Sequence, residues 1–150
     1  DLGISRVLWL GAGLIGDHTD GHVDNLARFV APRHLAIPEA NSANDPNAAI
    51  YNDAQARAKT LGFKVTNIPS PGRFLIDGEV APASYMNFYI ANTVVVVPAF
   101  GLPTDAAARD TIAALFPSHR VVSLPSSALL RGGGSFHCCS QQIPSCASGE

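Results

Sequence analysis

The segment Phe63-Lys-Val-Thr-Asn-Ile-Pro69 aligns with His119-Arg-Val-Val-Ser-Leu-Pro125, 56 residues further along the chain. Each segment is a short, mainly apolar run that ends at a proline, which is typical of a buried strand. A helix is predicted before each of these strands, with Pro46 in the first turn of one and Thr104 at the start of the other. Because the two helix starts are 58 residues apart, the sequence indicates two copies of one supersecondary unit.

The elements around the repeat predict an α/β fold. Six strands are expected within the two copies, over residues 26–31, 34–37, 63–68, 85–91, 93–97 and 120–124. Asp45 is expected to cap the first helix and Thr104 the second. Each copy is therefore a strand–strand–helix–strand unit, and repetition with a period near 50 residues is typical of a propeller. A further strand is expected over 6–10, and Asp77-Gly78 predicts a hairpin.

The composition indicates that the chain does not cover its own surface. Its 150 residues include 10 Lys+Arg and 12 Asp+Glu, so 15% are charged, whereas an ordinary soluble domain has about 25%. Hydrophobic residues make up 47%, which is enough for a core. We therefore expect surface to be hidden against another subunit or against the rest of a larger protein, with no domain boundary inside the chain.

Several classes of protein are excluded by the same numbers. A net charge of −2, with Lys59 and Lys64 as the only lysines, provides no basic stripe for nucleic acid. The longest apolar run, residues 93–100, is far shorter than the ~18 residues that a membrane span requires. Three cysteines, of which Cys138 and Cys139 are adjacent, do not make a disulfide framework. A cytoplasmic protein without nucleic-acid or membrane partners is expected.

The stretch Gly16-Asp-His-Thr-Asp-Gly-His-Val-Asp24 places three carboxylates and two imidazoles within nine residues. If Val23 points into the core from an extended segment, His22 and Asp24 project together from the opposite face. An imidazole beside a carboxylate can exchange protons while the carboxylate holds a cation. The alternative is a solvated loop in which the aspartates cap turns and the histidines have no chemical role.

A second candidate site is Gly132-Gly-Gly-Ser-Phe-His-Cys138. Three glycines allow the backbone to approach a ligand closely. Cys138, beside His137, is a candidate nucleophile if a neighbouring cation holds it as the thiolate. The alternative is a buried, unreactive cysteine after a flexible loop. A zinc site is disfavoured because the histidines and cysteines lack the compact spacing of four ligands.

Three parts of the sequence resemble the agmatine deiminase and bacterial-type peptidyl-arginine deiminase family. They are residues 9–17 with 19–30, residues 85–92 with 94–98, and residues 132–138 with 140–144. The parts occur in the order that the family has, and together they extend over nearly the whole chain.

The resemblance implies a fold and a position within it. The family has a five-bladed α/β propeller of ββαβ units, and this chain would be its C-terminal portion, about two blades plus the edges of others. Family members carry, in their N-terminal part, a Trp-x-Arg-Asp-x-Gly-Pro stretch whose Asp is a second carboxylate for the guanidinium. No stretch of this chain matches it, since the single tryptophan, Trp9, lies in another motif. Association with the missing portion, or a homo-oligomer, is therefore expected.

The resemblance also implies roles for individual residues. Cys138 would be the nucleophile, His22 the general acid and base, Asp24 a carboxylate that holds the guanidinium, and Asp17 a further acidic residue of the pocket. The thiolate would attack the guanidinium carbon, ammonia would leave, and water would hydrolyse the thiouronium intermediate. Agmatine would give N-carbamoylputrescine, a precursor of putrescine in polyamine biosynthesis. The implied reaction would need no metal and no organic cofactor.

Two other functions remain open at this stage. A peptidyl-arginine deiminase differs from an agmatine deiminase only in its substrate. A truncated relic, acting as a folded oligomer or an interaction module, would share every motif quoted above. Little or no activity is expected from the isolated 150 residues, because one guanidinium carboxylate is missing.

Overall fold

The computed structural model describes residue 4, residues 6–19 and residues 21–143, so Asp20 and the segment 144–150 lie outside the described residues. The strands are β1 (Arg28–Ala31), β2 (His34–Glu39), β3 (Lys64–Pro69), β4 (Leu75–Ile76), β5 (Glu79–Val80), β6 (Tyr89–Ile90), β7 (Val94–Ala99) and β8 (Arg120–Pro125). The helices are a 3-10 turn (Val23–Asn25), α1 (Ala48–Thr60), α2 (Thr104–Leu115) and α3 (Ser127–Leu130). Among the described helices, none has the length and apolar character needed to cross a bilayer.

Two three-stranded sheets have the same topology and the same register. In each, the first pair of strands is antiparallel and the second pair is parallel, in the orders β1-β2-β3 and β6-β7-β8. His34 pairs with Lys64 in one sheet, and Val94 pairs with Arg120 in the other. Helices α1 and α2 provide the crossover that a parallel pair requires. The predicted strand–strand–helix–strand repeat is confirmed.

The first sheet lies between two hydrophobic clusters because alternate residues of a strand point to opposite faces. Leu35 and Ile37 of β2 join a cluster on the side of α1. Ala36 of the same strand and Ile68 of β3 join a larger cluster with Ile112 of α2. Helix α2 therefore packs between the two sheets, and the two units share one core.

The hairpin at Asp77-Gly78 is confirmed, and both turn residues have positive φ, +53° and +87°. The strand expected over 6–10 is wrong, since these residues belong to no helix or strand. Trp9 in that run is 79% exposed. An apolar run forms a strand only where a neighbouring strand pairs its backbone groups, and no described strand pairs with this one.

Aspartate side chains hold the turns before both helices, but neither residue that was expected to cap a helix does so. Asp45 was expected to cap α1, but the helix begins at Ala48 after Asn47 and has no side-chain cap. The Asp45 carboxylate instead accepts the backbone N–H of Asn47 at 2.9 Å and closes the turn before the helix. For α2, the expected Thr104 makes no capping bond. Asp105 instead accepts the backbone N–H groups of Gly101 at 2.8 Å and Leu102 at 3.1 Å.

Asp105→Ala is expected to lower the free energy of unfolding by about 2 kcal/mol, because it removes acceptors from the turn before α2 and from the Tyr85 hydroxyl. Urea titration followed by far-ultraviolet circular dichroism measures the loss. Asp110→Ala is the matched control, since Asp110 is exposed on the same helix and pairs with Arg109; it should change stability by less than about 0.5 kcal/mol. Equal losses in the two variants would contradict the role of Asp105 in holding the turn before α2.

Candidate active site

A buried segment between the two units provides one wall of the site. Residues 85–88 were expected to lie in a strand, but only Tyr89–Ile90 is paired. The Arg28 guanidinium, from β1, donates to the carbonyl of Phe88 at 2.6 Å and to that of Met86 at 3.2 Å. It also stacks on the Phe88 ring at 4.7 Å. Because a side chain satisfies these carbonyls, the segment is held without a strand partner.

Asp24 lies at the centre of the site, on the 3-10 turn before β1. Its side chain is 14% exposed, and its Oδ2 accepts from His137 Nδ1 at 2.6 Å and from the Cys138 thiol at 3.2 Å. The other oxygen, Oδ1, is buried and has no hydrogen-bond partner among the described residues. An unpaired buried carboxylate oxygen is unfavourable, so an N–H that reached this atom would stabilise it.

Neighbouring side chains stabilise the ionised form of Asp24. Burial alone would raise the pKa of this carboxyl, but the hydrogen bonds from His137 and Cys138 and the charges of His137 and His22 outweigh it. The net effect lowers the pKa of Asp24 below its ordinary value. Asp24 is therefore a carboxylate at neutral pH and can attract a cation.

Cys138 is exposed in the turn region after α3, with its sulfur against Asp24 and Asn87. Glycines are required at positions 133 and 134 because other side chains lie too close to their backbone for a Cβ atom. A Cβ on Gly134 would lie 2.7 Å from Cys138 Sγ. Gly133 has φ +93°, and a Cβ there would lie 2.6 Å from the Nε2 of His18. The glycines thus make room for the thiol and for His18.

The thiol of Cys138 is not activated in the protein without a ligand. Burial raises the pKa of Cys138; the hydrogen bond and charge of Asp24 raise it further, and the opposing hydrogen bonds from Asn87 and Ser135 do not compensate. A thiolate needs a neighbouring cation. His137 does not supply it here, because its Nδ1 is directed to Asp24 rather than to the sulfur. Cys138 is therefore protonated at neutral pH in this state.

His22 and Asp17 lie on the loop that leads into the 3-10 turn. The extended segment expected around Val23 is wrong, because Val23 begins the 3-10 turn and is 60% exposed. His22 is exposed, and its charge lowers the pKa of both Asp17 and Asp24, so the three groups are electrostatic neighbours. The Asp17 carboxylate accepts the backbone N–H of Thr19 at 2.9 Å and that of His22 at 3.1 Å. Asp17 thereby shapes the loop that presents His22.

Sequence reasoning found Cys138 and Asp24 but missed Asn87 and Arg28 as contributors to the site. Asn87 lies in the quoted stretch 85–92, where no spacing rule singles it out. Its partners are more than 45 residues away along the chain, at Cys138 and Asn25. Only the folded arrangement shows what it contacts.

Residues 1–144 match the model of the Porphyromonas-type peptidyl-arginine deiminases. The chain belongs to this family. The agmatine deiminase of Pseudomonas putida is 36% identical over 167 residues, which cover 95% of this chain and 45% of that protein.

Solved structures of related proteins have the same α/β fold. The agmatine deiminase of Enterococcus faecalis has a TM-score of 0.86 and 32% identity, covering 95% of this chain and 46% of that one. A Porphyromonas gingivalis protein, provisionally assigned as an arginine deiminase, has a TM-score of 0.89 and 33% identity, covering 95% of this chain and 44% of that one. The chain spans less than half the length of these relatives.

Proposed function

We propose that the chain is the cysteine-bearing part of an enzyme that hydrolyses a guanidinium group, with agmatine as its substrate. The observation that carries the proposal is the pairing of the Cys138 thiol with a carboxylate whose Oδ1 is buried and unpartnered among the described residues. A guanidinium whose carbon lies beside the sulfur can donate an N–H to the Asp24 carboxylate. Family relatives named as agmatine deiminases support this substrate class.

The charge of the substrate resolves the problem of the protonated thiol. In the free protein, Asp24 helps to keep the pKa of Cys138 above its ordinary value. A bound guanidinium neutralises this carboxylate and adds a positive charge beside the sulfur, and both effects favour the thiolate. The nucleophile therefore forms when a cationic substrate is present.

The reaction proceeds by two substitutions at the guanidinium carbon. The Cys138 thiolate forms a C–S bond, and protonated His22 gives its proton to the departing nitrogen, which leaves as ammonia. Neutral His22 then takes a proton from water, and the resulting hydroxide attacks the thiouronium carbon. The C–S bond breaks to give the thiolate and a protonated ureido product, which loses its hydroxyl proton to solvent. These steps use the chain's own side chains and need no cofactor.

A full site requires a larger assembly. We propose that the two repeated units are blades of a five-bladed propeller and that the chain is the C-terminal portion of that domain. The equal registers of the two sheets and the exposed side chains of Val7, Trp9 and Phe29 support this arrangement. The second guanidinium carboxylate would come from the portion of the relatives that this chain does not span, with Asp17 as a further acidic group.

The 150-residue chain alone is expected to release ammonia from agmatine at least about 10²-fold more slowly than an assembled enzyme, because orientation by the second carboxylate is lost. The measurement mixes the chain with the N-terminal portion of the Pseudomonas putida relative and follows ammonia and N-carbamoylputrescine. Activity that appears only on mixing supports the proposal. Failure of every mixture and of the chain alone would instead support a folded, non-catalytic relic, which the raised pKa of the free thiol favours.

The same assembled enzyme distinguishes the two substrates. Agmatine should be hydrolysed in preference to a blocked arginine peptide, because agmatine carries a second positive charge and the proposed site has the Asp24 carboxylate, with Asp17 on the adjoining loop. A preference for the peptide would reassign the chain to peptidyl-arginine deimination, without change in the roles of Cys138 and His22.

A further inference from the structure

The side-chain oxygen of Asn87 holds the backbone of the nucleophile loop. Asn87 is 1% exposed. Its Oδ1 accepts the backbone N–H groups of Ser135 at 3.2 Å, His137 at 3.0 Å and Cys138 at 3.2 Å. Three donors around one oxygen fix the orientation of the amide, because the NH₂ group could not accept any of them. The nitrogen of Asn87 must therefore face the other side of the site.

On that side, the nitrogen of Asn87 meets the reacting sulfur. Nδ2 lies 2.8 Å from Cys138 Sγ and 2.9 Å from Asn25 Oδ1, and Asp24 Oδ2 lies at 3.3 Å. The NH₂ group has two hydrogens. One hydrogen is donated to Asn25 Oδ1. The second points between Cys138 Sγ and Asp24 Oδ2, and it can be donated to either atom.

We propose that Asn87 is a catalytic residue whose side-chain amide donates a hydrogen bond to the Cys138 thiolate while its carbonyl fixes the loop that carries this cysteine. The inference rests on the proposed function, in which Cys138 is the nucleophile. It goes beyond that function because it gives Asn87 a role of its own. Asn87 stabilises the attacking thiolate, whereas the proposed function uses only Cys138, His22 and the carboxylates. A hydrogen bond to a charged partner is stronger than one between neutral groups.

A neutral donor fits this site better than a cationic one. A lysine or arginine against the sulfur would also stabilise the thiolate, but it would repel a guanidinium substrate and compete for Asp24. The amide stabilises the anion without opposing the cation. As a guanidinium occupies Asp24, the shared hydrogen of Asn87 is free to turn fully to the sulfur.

Asn87→Asp separates the two roles of this side chain. The variant keeps an oxygen for the three backbone N–H groups, but it replaces the NH₂ donor beside the sulfur by an anionic oxygen that can only accept. The test is made on the 150-residue chain carrying Cys139→Ala and Cys146→Ala, so that iodoacetamide can alkylate only Cys138. The rate is measured against pH, and the unfolding midpoint is recorded in parallel. Asn92→Asp, in the same stretch but exposed, is the matched control.

The alkylation rate at pH 7.5 is expected to fall at least about tenfold in Asn87→Asp, with its midpoint at higher pH, because a hydrogen bond to the thiolate is exchanged for repulsion by a carboxylate. Asn92→Asp should keep the parent profile. An Asn87→Asp profile equal to that of the parent would overturn the proposal, even if the unfolding midpoint has dropped. Because alkylation uses no guanidinium, this outcome is independent of whether the assembled protein hydrolyses agmatine.

A second measurement needs no substitution at position 87 and so does not depend on a variant that folds. The ¹⁵N-labelled side-chain amide of Asn87 is followed by NMR as pH rises. Its proton resonance should move downfield with the same midpoint as Cys138 alkylation, and Cys138→Ser should remove the shift. A resonance that does not respond to ionisation of Cys138 would exclude the hydrogen bond to the thiolate.

Discussion

Cys138→Ala is expected to abolish ammonia release from agmatine in the assembled enzyme, with a fall in kcat of at least about 10⁴-fold. The reason is that the proposed pathway has no other group able to form the covalent bond to the guanidinium carbon. Removal of a nucleophile leaves only the rate that binding and orientation provide. The assay follows ammonia and N-carbamoylputrescine after the chain is combined with the N-terminal portion of a relative.

Cys139→Ala is the matched control for this prediction. Cys139 is adjacent and exposed, yet its sulfur donates to the Ser135 carbonyl at 2.9 Å rather than approaching Asp24. The Cys139 variant should retain nearly full activity. If Cys138→Ala kept its activity while Cys139→Ala lost it, the nucleophile would be Cys139 and the contacts of Cys138 with Asp24 would have a different meaning.

Asp24→Asn is expected to change catalysis and thiol reactivity in opposite directions. Catalytic efficiency, kcat/KM, for agmatine should fall at least about 10³-fold, because the carboxylate that orients the guanidinium is gone. Alkylation of Cys138 in the free protein at neutral pH should instead rise several-fold. The carboxylate helps to hold the pKa of this thiol above its ordinary value, so its removal lowers that pKa and a larger fraction is thiolate at a given pH.

Two measurements on one variant test this prediction: ammonia release in the assembled enzyme and the pH profile of iodoacetamide alkylation in the chain that retains Cys138 alone. Asp53→Asn is the control, since Asp53 is exposed and pairs with Arg57 on α1; it should affect neither quantity. A fall in both quantities for Asp24→Asn would indicate a collapsed site. Unchanged alkylation would show that Asp24 does not control the ionisation of Cys138.

The fold was predictable from the sequence wherever hydrophobic pattern and turn residues act locally. The repeated segments that end at Pro69 and Pro125 predict two similar units. Each strand and each helix has its own apolar pattern within a short stretch of chain, and the same order of patterns occurs twice. The pattern failed over 6–10, where strand formation depends on a neighbour. The strand predicted over 85–88 was also wrong, because the Arg28 side chain, and not a neighbouring strand, donates to the carbonyl of Phe88.

The site was predictable only in part. Cys138 and Asp24 stand in recognisable stretches, and the structure brings them within 3.2 Å of one another across 114 positions. The cation that the thiolate needs is not supplied by His137, which pairs with Asp24 in the free protein. The catalytic roles of His22 and Asp17 stay predictions.

The amino-acid sequence by itself determined the repeated α/β units, the shortage of surface charge and the residue types available for chemistry, because these depend on local pattern and composition. Only the tertiary structure decided the ionisation and geometry of the site. Burial and the contacts of Asp24 set the protonated state of Cys138, and Asn87 joins the loop of Cys138 to the turn of Asp24. Such effects arise between groups that are distant in the chain, and no periodicity or spacing records them.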